Sequence, residues 1–424
     1  MMKTPHFNLI AAAVATLSTW FTANAADWPT YRHDYQRSGI SPETLTLPLL
    51  PVWVHQPLQP PAPAWPEPAK RDYYLSPSSQ LPLAPRVAFD RAFQVVAVGD
   101  AVFYGSSSDH TVNSINATTG QNNWTYFTDG PVRMAPSVHD GRVYAGSDDG
   151  IVYCLQADDG GLVWKYTAAG TENYLIANDG KFVSPFGVRT GVAVEQGIAY
   201  FGAGFFPSEG VHLCAVDAVT GGEQWNRPVL NQVAFQGYIL LSPARIYTPG
   251  SRANPYYFDR TSGSLLGRFA DRGAMGTFAL LAGNSIIYGA AGRGGASLAE
   301  KGAAGDSIAS FAGNSMVVTA NRSYLLTDTA LIALNRDGAG QIWQTTTIHP
   351  YALILAGPTL FTGGNNEVAA FDTVTGAPVW SAPVQGRVHG LAVANGQLFV
   401  STDQGHIHCF GQDQSKKQSS WILF

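Results

Sequence analysis

The sequence predicts an all-β fold: a β-propeller of about eight four-stranded antiparallel blades, its ring closed by an N-terminal strand. Three observations carry this. A glycine followed four residues later by tryptophan recurs in "ATTGQNNW" (Gly120, Trp124), "ADDGGLVW" (Gly160, Trp164), "AVTGGEQW" (Gly221, Trp225) and "TVTGAPVW" (Gly376, Trp380), with a looser copy at Trp343. Trp124 and Trp164 lie 40 residues apart, and Trp343 and Trp380 lie 37 apart, the length of one small β-unit copied around a ring. Short apolar runs alternate with tight turns between them. Asp140-Gly141 sits between "APSVH" and "RVYAG", and Asp-Gly in that setting is a hairpin whose central residues take positive φ.

Residues 1–25 read as an export signal. Lys3 gives a positive start, "FNLIAAAVATLSTWF" an apolar stretch, and Ala23-Asn24-Ala25 a small-x-small cleavage site. The apolar stretch is short and interrupted for a membrane span, and no cysteine lies near the cleavage site to carry a lipid. Residues 26–90 form an N-terminal segment. Within it, residues 48–56 hold a tryptophan strand, around Trp53, with no unit of its own, while the last unit ends at "HIHCFG" and lacks one. Pairing the two closes the ring and removes both exposed sheet edges. Residues 57–86 contain nine prolines and read as an extended, semi-rigid connector.

The propeller spans 91–411. Its eight second strands read "AVFYG", "RVYAG", "IAYFG", "RIYTP", "SIIYG", "SMVVT", "TLFTG" and "QLFVS". The step from Gly146 to Gly202 holds an insertion, "ENYLIANDGKFVSPFG". The step from Gly289 to Thr319 is short and marks a degenerate, Gly/Ala-rich blade. Residues 412–424 are a polar tail ending in "WILF".

Composition narrows the function. Charged residues make up 13% of the chain, hydrophobics 45% and the net charge is −5, so the chain is neither disordered nor equipped with a basic stripe for nucleic acid. Cys154 and Cys409 occupy one repeat position, "VYCL" and "IHCF", inside a strand, which favours buried free thiols over bridges. An oxidising compartment therefore follows from the signal alone. His406 and His408 share a strand face without a third ligand, and no metal site is expected.

The unit "VYAGSDDGIVYCLQADDGGLVW" resembles the repeat of the pyrroloquinoline-quinone-like β-propellers, and "ADWPTYRHDYQRSG" is similar to the start of secreted bacterial members. The resemblance implies two branches, quinoprotein dehydrogenases and non-enzymatic scaffolds such as the outer-membrane assembly factor; the latter is expected to be nearer. The dehydrogenases stack their quinone on a disulfide between adjacent cysteines, and this chain has no adjacent pair. It also has no Cys-x-x-Cys-His for an attached haem.

Basic residues recur before the innermost strand of five units: Arg91, Arg133, Arg189, His349 and Arg387. Each lies 13 or 14 residues before the end of its second strand, which places all five at one mouth of the channel. Guanidinium groups suit the capture of carboxylate or sulfate. The competing role for each is to tie neighbouring blades through carbonyls or an acid such as Asp90. The expectation is an exported, monomeric, non-catalytic binding scaffold in the periplasm or outside the cell, without a cofactor, presenting this mouth to a protein, an anionic glycan or a small-molecule ligand. The alternative is an enzyme with its site at the same mouth, either a quinone-dependent oxidoreductase with calcium or a sugar-active protein.

Overall fold

Short strands joined by tight turns cannot bury both faces alone, and here they associate as eight antiparallel blades. The computed structural model describes residues 26–64, 87–178, 180–229, 234–250, 253–270, 276–290, 296–336 and 340–412. The export signal, most of the proline-rich connector and the "WILF" tail lie outside the described residues.

Blade 1 is built of Val95–Val98, Ala101–Ser106, Thr111–Asn116 and Asn122–Phe127, in that order from the axis outward. Blade 2 (137–167), blade 3 (193–228), blade 4 (240–268), blade 5 (278–312) and blade 6 (315–346) repeat it. Between blades 7 and 8 the chain does not break. Pro378–Ala394 is one continuous strand whose first part pairs with Asn365–Asp372 as the outer strand of blade 7. Its last part pairs with Gln397–Thr402 as the inner strand of blade 8.

Leu50–His55 supplies the missing outer strand of blade 8. It runs antiparallel to Ile407–Gly411, with Trp53 opposite Cys409 and His55 opposite Ile407. The ring is thus closed by pairing the N-terminal segment with the last unit, and Ile407–Gly411 is not left as an open edge.

The core is a set of layers between blades. On Arg142–Gly146, Val143 and Ala145 face blade 1, packing with Val96, Phe103 and Trp124, whereas Tyr144 faces blade 3, packing with Val194 and Phe201. Side chains alternate across a strand, so a strand covered on both faces is apolar throughout. The outer strands are half exposed, and Asn122–Phe127 shows the alternation.

The tryptophans lock each blade to the next. Trp124 Nε1 donates to Ala157 O at 2.9 Å, Trp164 Nε1 to Ala218 O at 3.1 Å, and Trp53 Nε1 to Ala117 O at 2.9 Å. Each indole lies on the turn glycine of the following blade. Gly160 has φ +73°, and a Cβ there would meet Trp124 ring carbons at 2.7 Å. The recurring Gly-x-x-x-Trp therefore encodes two halves of adjacent contacts: the glycine receives the preceding tryptophan. Gly160→Ala is expected to cost about 1–3 kcal/mol from the left-handed backbone and more from the clash. Gly141→Ala, at φ +69° with open space around it, should cost only the backbone part. Urea denaturation of the two variants measures the difference.

One strand assignment needs correction. Ser315–Val318, within "SMVVT", is the inner strand of blade 6, and Arg322–Leu326 is its second strand. The second-strand ends Gly289, Leu326 and Gly363 are then evenly spaced at 37 residues, and no blade is short. The outer half of blade 5, Ser297–Gly302 and Ser307–Ala312, sets Leu298, Ile308 and Phe311 among small and charged residues and reads weakly as apolar strand.

Candidate functional site

The channel is floored by the chain's own N-terminal segment. Trp28 pairs with Ala97 of blade 1, Pro29 O accepts from Val138 N of blade 2, and Tyr35 O from Leu241 N of blade 4. Gln36 O accepts from Leu281 N of blade 5, and Ile40–Ser41 runs parallel to the inner strand of blade 7. These contacts fall toward the C-terminal ends of the inner strands, so the floor lies at one mouth of the channel.

Two buried arginines fix this floor. Arg37 Nε and Nη2 both donate to Ile239 O, and Nη1 donates to Thr30 Oγ1 and Tyr31 O. Arg32 donates to Leu353 O, Met316 O and Arg37 O. Burial pushes both guanidiniums below their usual range. Their hydrogen bonds end on carbonyl and hydroxyl oxygens, and the Asp34 carboxylate lies close enough to favour the charge of both.

Above the floor lies a cavity of about 410 Å³. Its deep wall is Trp28, Tyr31, Arg32 and Tyr238, with Tyr31 stacked on Tyr238 at 3.7 Å. Its middle carries Phe89, Gln94 and Phe278, and its rim Arg91, Asn314, Asp328, Tyr351 and His389. Tyr351 is 37% exposed whereas Trp28 is 1% exposed, so access is from the rim. His389 packs on Tyr351 with ring centroids 5.0 Å apart. Its pKa is pushed down to about 3 by burial and by Arg91 and Arg387, and the imidazole is neutral at physiological pH. Asn314 Nδ2 donates to Asp328 at 2.8 Å, and Gln94 Nε2 to His389 O at 3.2 Å.

The five basic residues expected at the mouth divide into three groups. Arg91 lines the cavity, and both it and Arg387 lie near His389. Arg387 is exposed, 4.0 Å from Asp403. Arg133 and Arg189 are buried together on one carboxylate. Arg133 Nε reaches Asp148 at 2.5 Å and its Nη1 reaches Asp90 at 3.0 Å, while Arg189 holds both Asp148 oxygens at 2.8 and 2.9 Å. His349 Nε2 sits 3.0 Å from Glu367. Asp90, Asp148, Glu367 and Asp403 stand beside Arg133, Arg189, His349 and Arg387, and one cavity does not gather all five basic residues. Sequence reasoning missed the floor, the aromatic wall and Asp148, which lies in the "SDDG" turn. Its only signal was the spacing of Arg133 and Arg189 to one shared acidic hairpin.

The residues do not fit the quinone-and-calcium arrangement that the resemblance implies. Cys154, Cys214 and Cys409 are free, buried and in three different blades. Burial pushes the Cys154 thiol up to about 12. Among the described residues, no group of three His, Cys, Asp or Glu side chains is placed to hold a metal ion. Among the same residues, no helix is long and apolar enough to cross a membrane.

The fold has many solved relatives. The crystal structure of BamB from Moraxella catarrhalis superposes with a TM-score of 0.56 at 15% identity, over 77% of this chain and 98% of that one. The quinohemoprotein alcohol dehydrogenase from Comamonas testosteroni superposes with a TM-score of 0.62 at 15% identity, over 92% of this chain and 82% of that one. A europium-containing methanol dehydrogenase gives 0.58 at 11% identity, over 91% and 98%. The likeness is shared about equally between the two branches, contrary to the expectation that non-enzymatic members are nearer. Among curated proteins there is no match. Residues 79–232 and 327–422, together more than half of the 424 residues, match the family described as outer membrane protein assembly factor BamB, and the chain belongs to that family.

Proposed function

We propose that this chain is an exported, non-catalytic binding protein whose channel cavity receives a small acidic saccharide. The carrying observation is the 410 Å³ cavity, closed below by the N-terminal segment and lined by both aromatic faces and cations. Its volume lies in the range of small-molecule sites. Phe89, Phe278 and Tyr351 line the cavity and supply aromatic surface for the apolar side of a sugar ring. Arg91 supplies a charged fork for a carboxylate, and the Gln94 and Asn314 amides suit hydroxyls. Export rests on residues 1–25, and N-terminal sequencing of the mature protein should begin at Ala26.

The test is calorimetric titration with glucuronate and a uronic-acid disaccharide. Saturable binding is expected. Arg91→Gln should weaken it roughly tenfold to a hundredfold, the worth of one charge-assisted hydrogen bond, and Tyr351→Ala by about threefold to tenfold. No saturable heat, or binding indifferent to both variants, would sink the reading.

A second reading, a quinone-dependent oxidoreductase, draws support from the likeness to the alcohol dehydrogenase over 92% of this chain. Incubation with the quinone and calcium decides it: a retained chromophore and dye reduction by alcohols would favour this reading over the first.

A further inference from the structure

We infer a second, smaller anion site beside the channel, built from Arg133, Arg189 and Lys181, which takes one carboxylate or inorganic oxyanion. A cavity of about 150 Å³ lies between blades 2 and 3 and is lined by Ala62, Pro63, Ala64, Arg133, Asn178, Lys181, Val183 and Arg189. Two insertions roof it. One is the start of the proline-rich connector, anchored by Ala62 N on Ser107 Oγ and Ala64 N on Asp90. The other is the hairpin Ile176–Asn178 with Lys181–Val183, which reaches across to blade 1 through Lys181 Nζ and Ser108 O at 3.3 Å.

Three cations face this space and two buried carboxylates sit behind it. Asp148 is shared by Arg133 and Arg189, and Asp90 holds Arg133 and the Ala64 amide. Asp109 is the nearest further acid on the Lys181 side. Each guanidinium keeps a spare donor: among the described residues, neither Nη2 of Arg133 nor Nη1 of Arg189 has an acceptor. Both arginines are only 7% exposed, so their forks are held in place while the spare donors stay open to the cavity. Phe205 lies 4.2 Å from the Arg189 guanidinium and fixes its plane. Burial and the neighbouring Arg133 push the Lys181 ammonium below its usual range, and a bound anion would relieve that repulsion. Two forks and an ammonium around 150 Å³ leave room for a carboxylate or sulfate.

Sulfate and acetate are the probes, titrated calorimetrically against the full chain in chloride buffer at constant ionic strength. Saturable sulfate binding is expected. Lys181→Gln should weaken it about tenfold or more, the worth of one charge-assisted contact, and Lys181→Arg should restore most of it. Lys181 lies on a surface hairpin, so an unchanged far-ultraviolet circular dichroism spectrum establishes that the variant is folded. Arg91→Gln, in the channel cavity, should leave sulfate binding intact, which separates this site from the saccharide site. A glutamate-containing peptide that competes with sulfate would identify a partner's side chain as the source of the carboxylate, and failure to compete would identify a free ion. No saturable binding, or equal binding by Lys181→Gln, would mean an adventitious ion only and would overturn the site.

Discussion

Deletion of residues 26–56 is expected to leave a chain with no cooperative unfolding transition at 25 °C. The loss removes two structures at once. Leu50–His55 is the outer strand of blade 8, and without it Ile407–Gly411 becomes an open edge. Trp28, Leu45 and Leu49 leave the cluster that joins blades 7, 8 and 1, and Arg32 and Arg37 leave the carbonyls of Leu353, Met316 and Ile239 unmet. Folded proteins retain only about 5–15 kcal/mol of net stability, and one buried aromatic removed from a core costs about 3–5 kcal/mol. Several such losses together exceed the margin. Trp53→Ala is the graded version. It removes one indole and its bond to Ala117 O, so about 3–5 kcal/mol should be lost while the ring stays closed. Urea denaturation monitored by circular dichroism reads both. A deletion variant that unfolds as cooperatively as the parent would show that the ring does not depend on the strand.

Asp148→Ala should have the next largest effect, a destabilisation of about 3–5 kcal/mol, the usual result of removing one member of a buried ion pair. The carboxyl is 1% exposed and carries two guanidiniums from two blades. Its removal leaves Arg189 buried without an acid and Arg133 with Asp90 alone. Burial by itself would raise the Asp148 pKa, but Arg189 and Arg133 outweigh it and hold the carboxyl below the usual carboxylate range. A folded-state value below the unfolded one, near 4, stabilises the fold fully above pH 4. That contribution is lost as the pH falls through the lower folded value. The stability difference between parent and Asp148→Ala should therefore be flat from pH 7 to about pH 5 and shrink under stronger acid. A difference that grew on acidification would contradict the pairing.

The repeat was legible because it is redundant. Glycine at positive φ and tryptophan four residues on meet the same steric demand in successive blades, so each copy confirms the last. Closure was legible for a related reason: Trp53 stood without a unit, and "HIHCFG" stood without its tryptophan. Blade 5 was misjudged because Ser297–Gly302 and Ser307–Ala312 obtain their strand character from neighbours, not from their own apolar pattern. The channel site was only half legible. The spacing led to the expectation of five basic residues at one mouth, but side-chain partners depend on contacts between distant segments. Asp148 meets Arg189 across 41 residues, and Arg32 meets Leu353 across 321. No local pattern carries such information. The floor made by residues 28–41 was hidden for the same reason, although the paired arginines in "YRHDYQR" were its visible trace.

Diffraction from crystals soaked in glucuronate tests the central claim, that the propeller axis is a binding cavity floored by the chain's own N-terminus. We expect one pyranose ring between Phe89, Phe278 and Tyr351 with its carboxylate on Arg91. An empty cavity at saturating glucuronate, or a sugar bound elsewhere on the ring, would contradict the account.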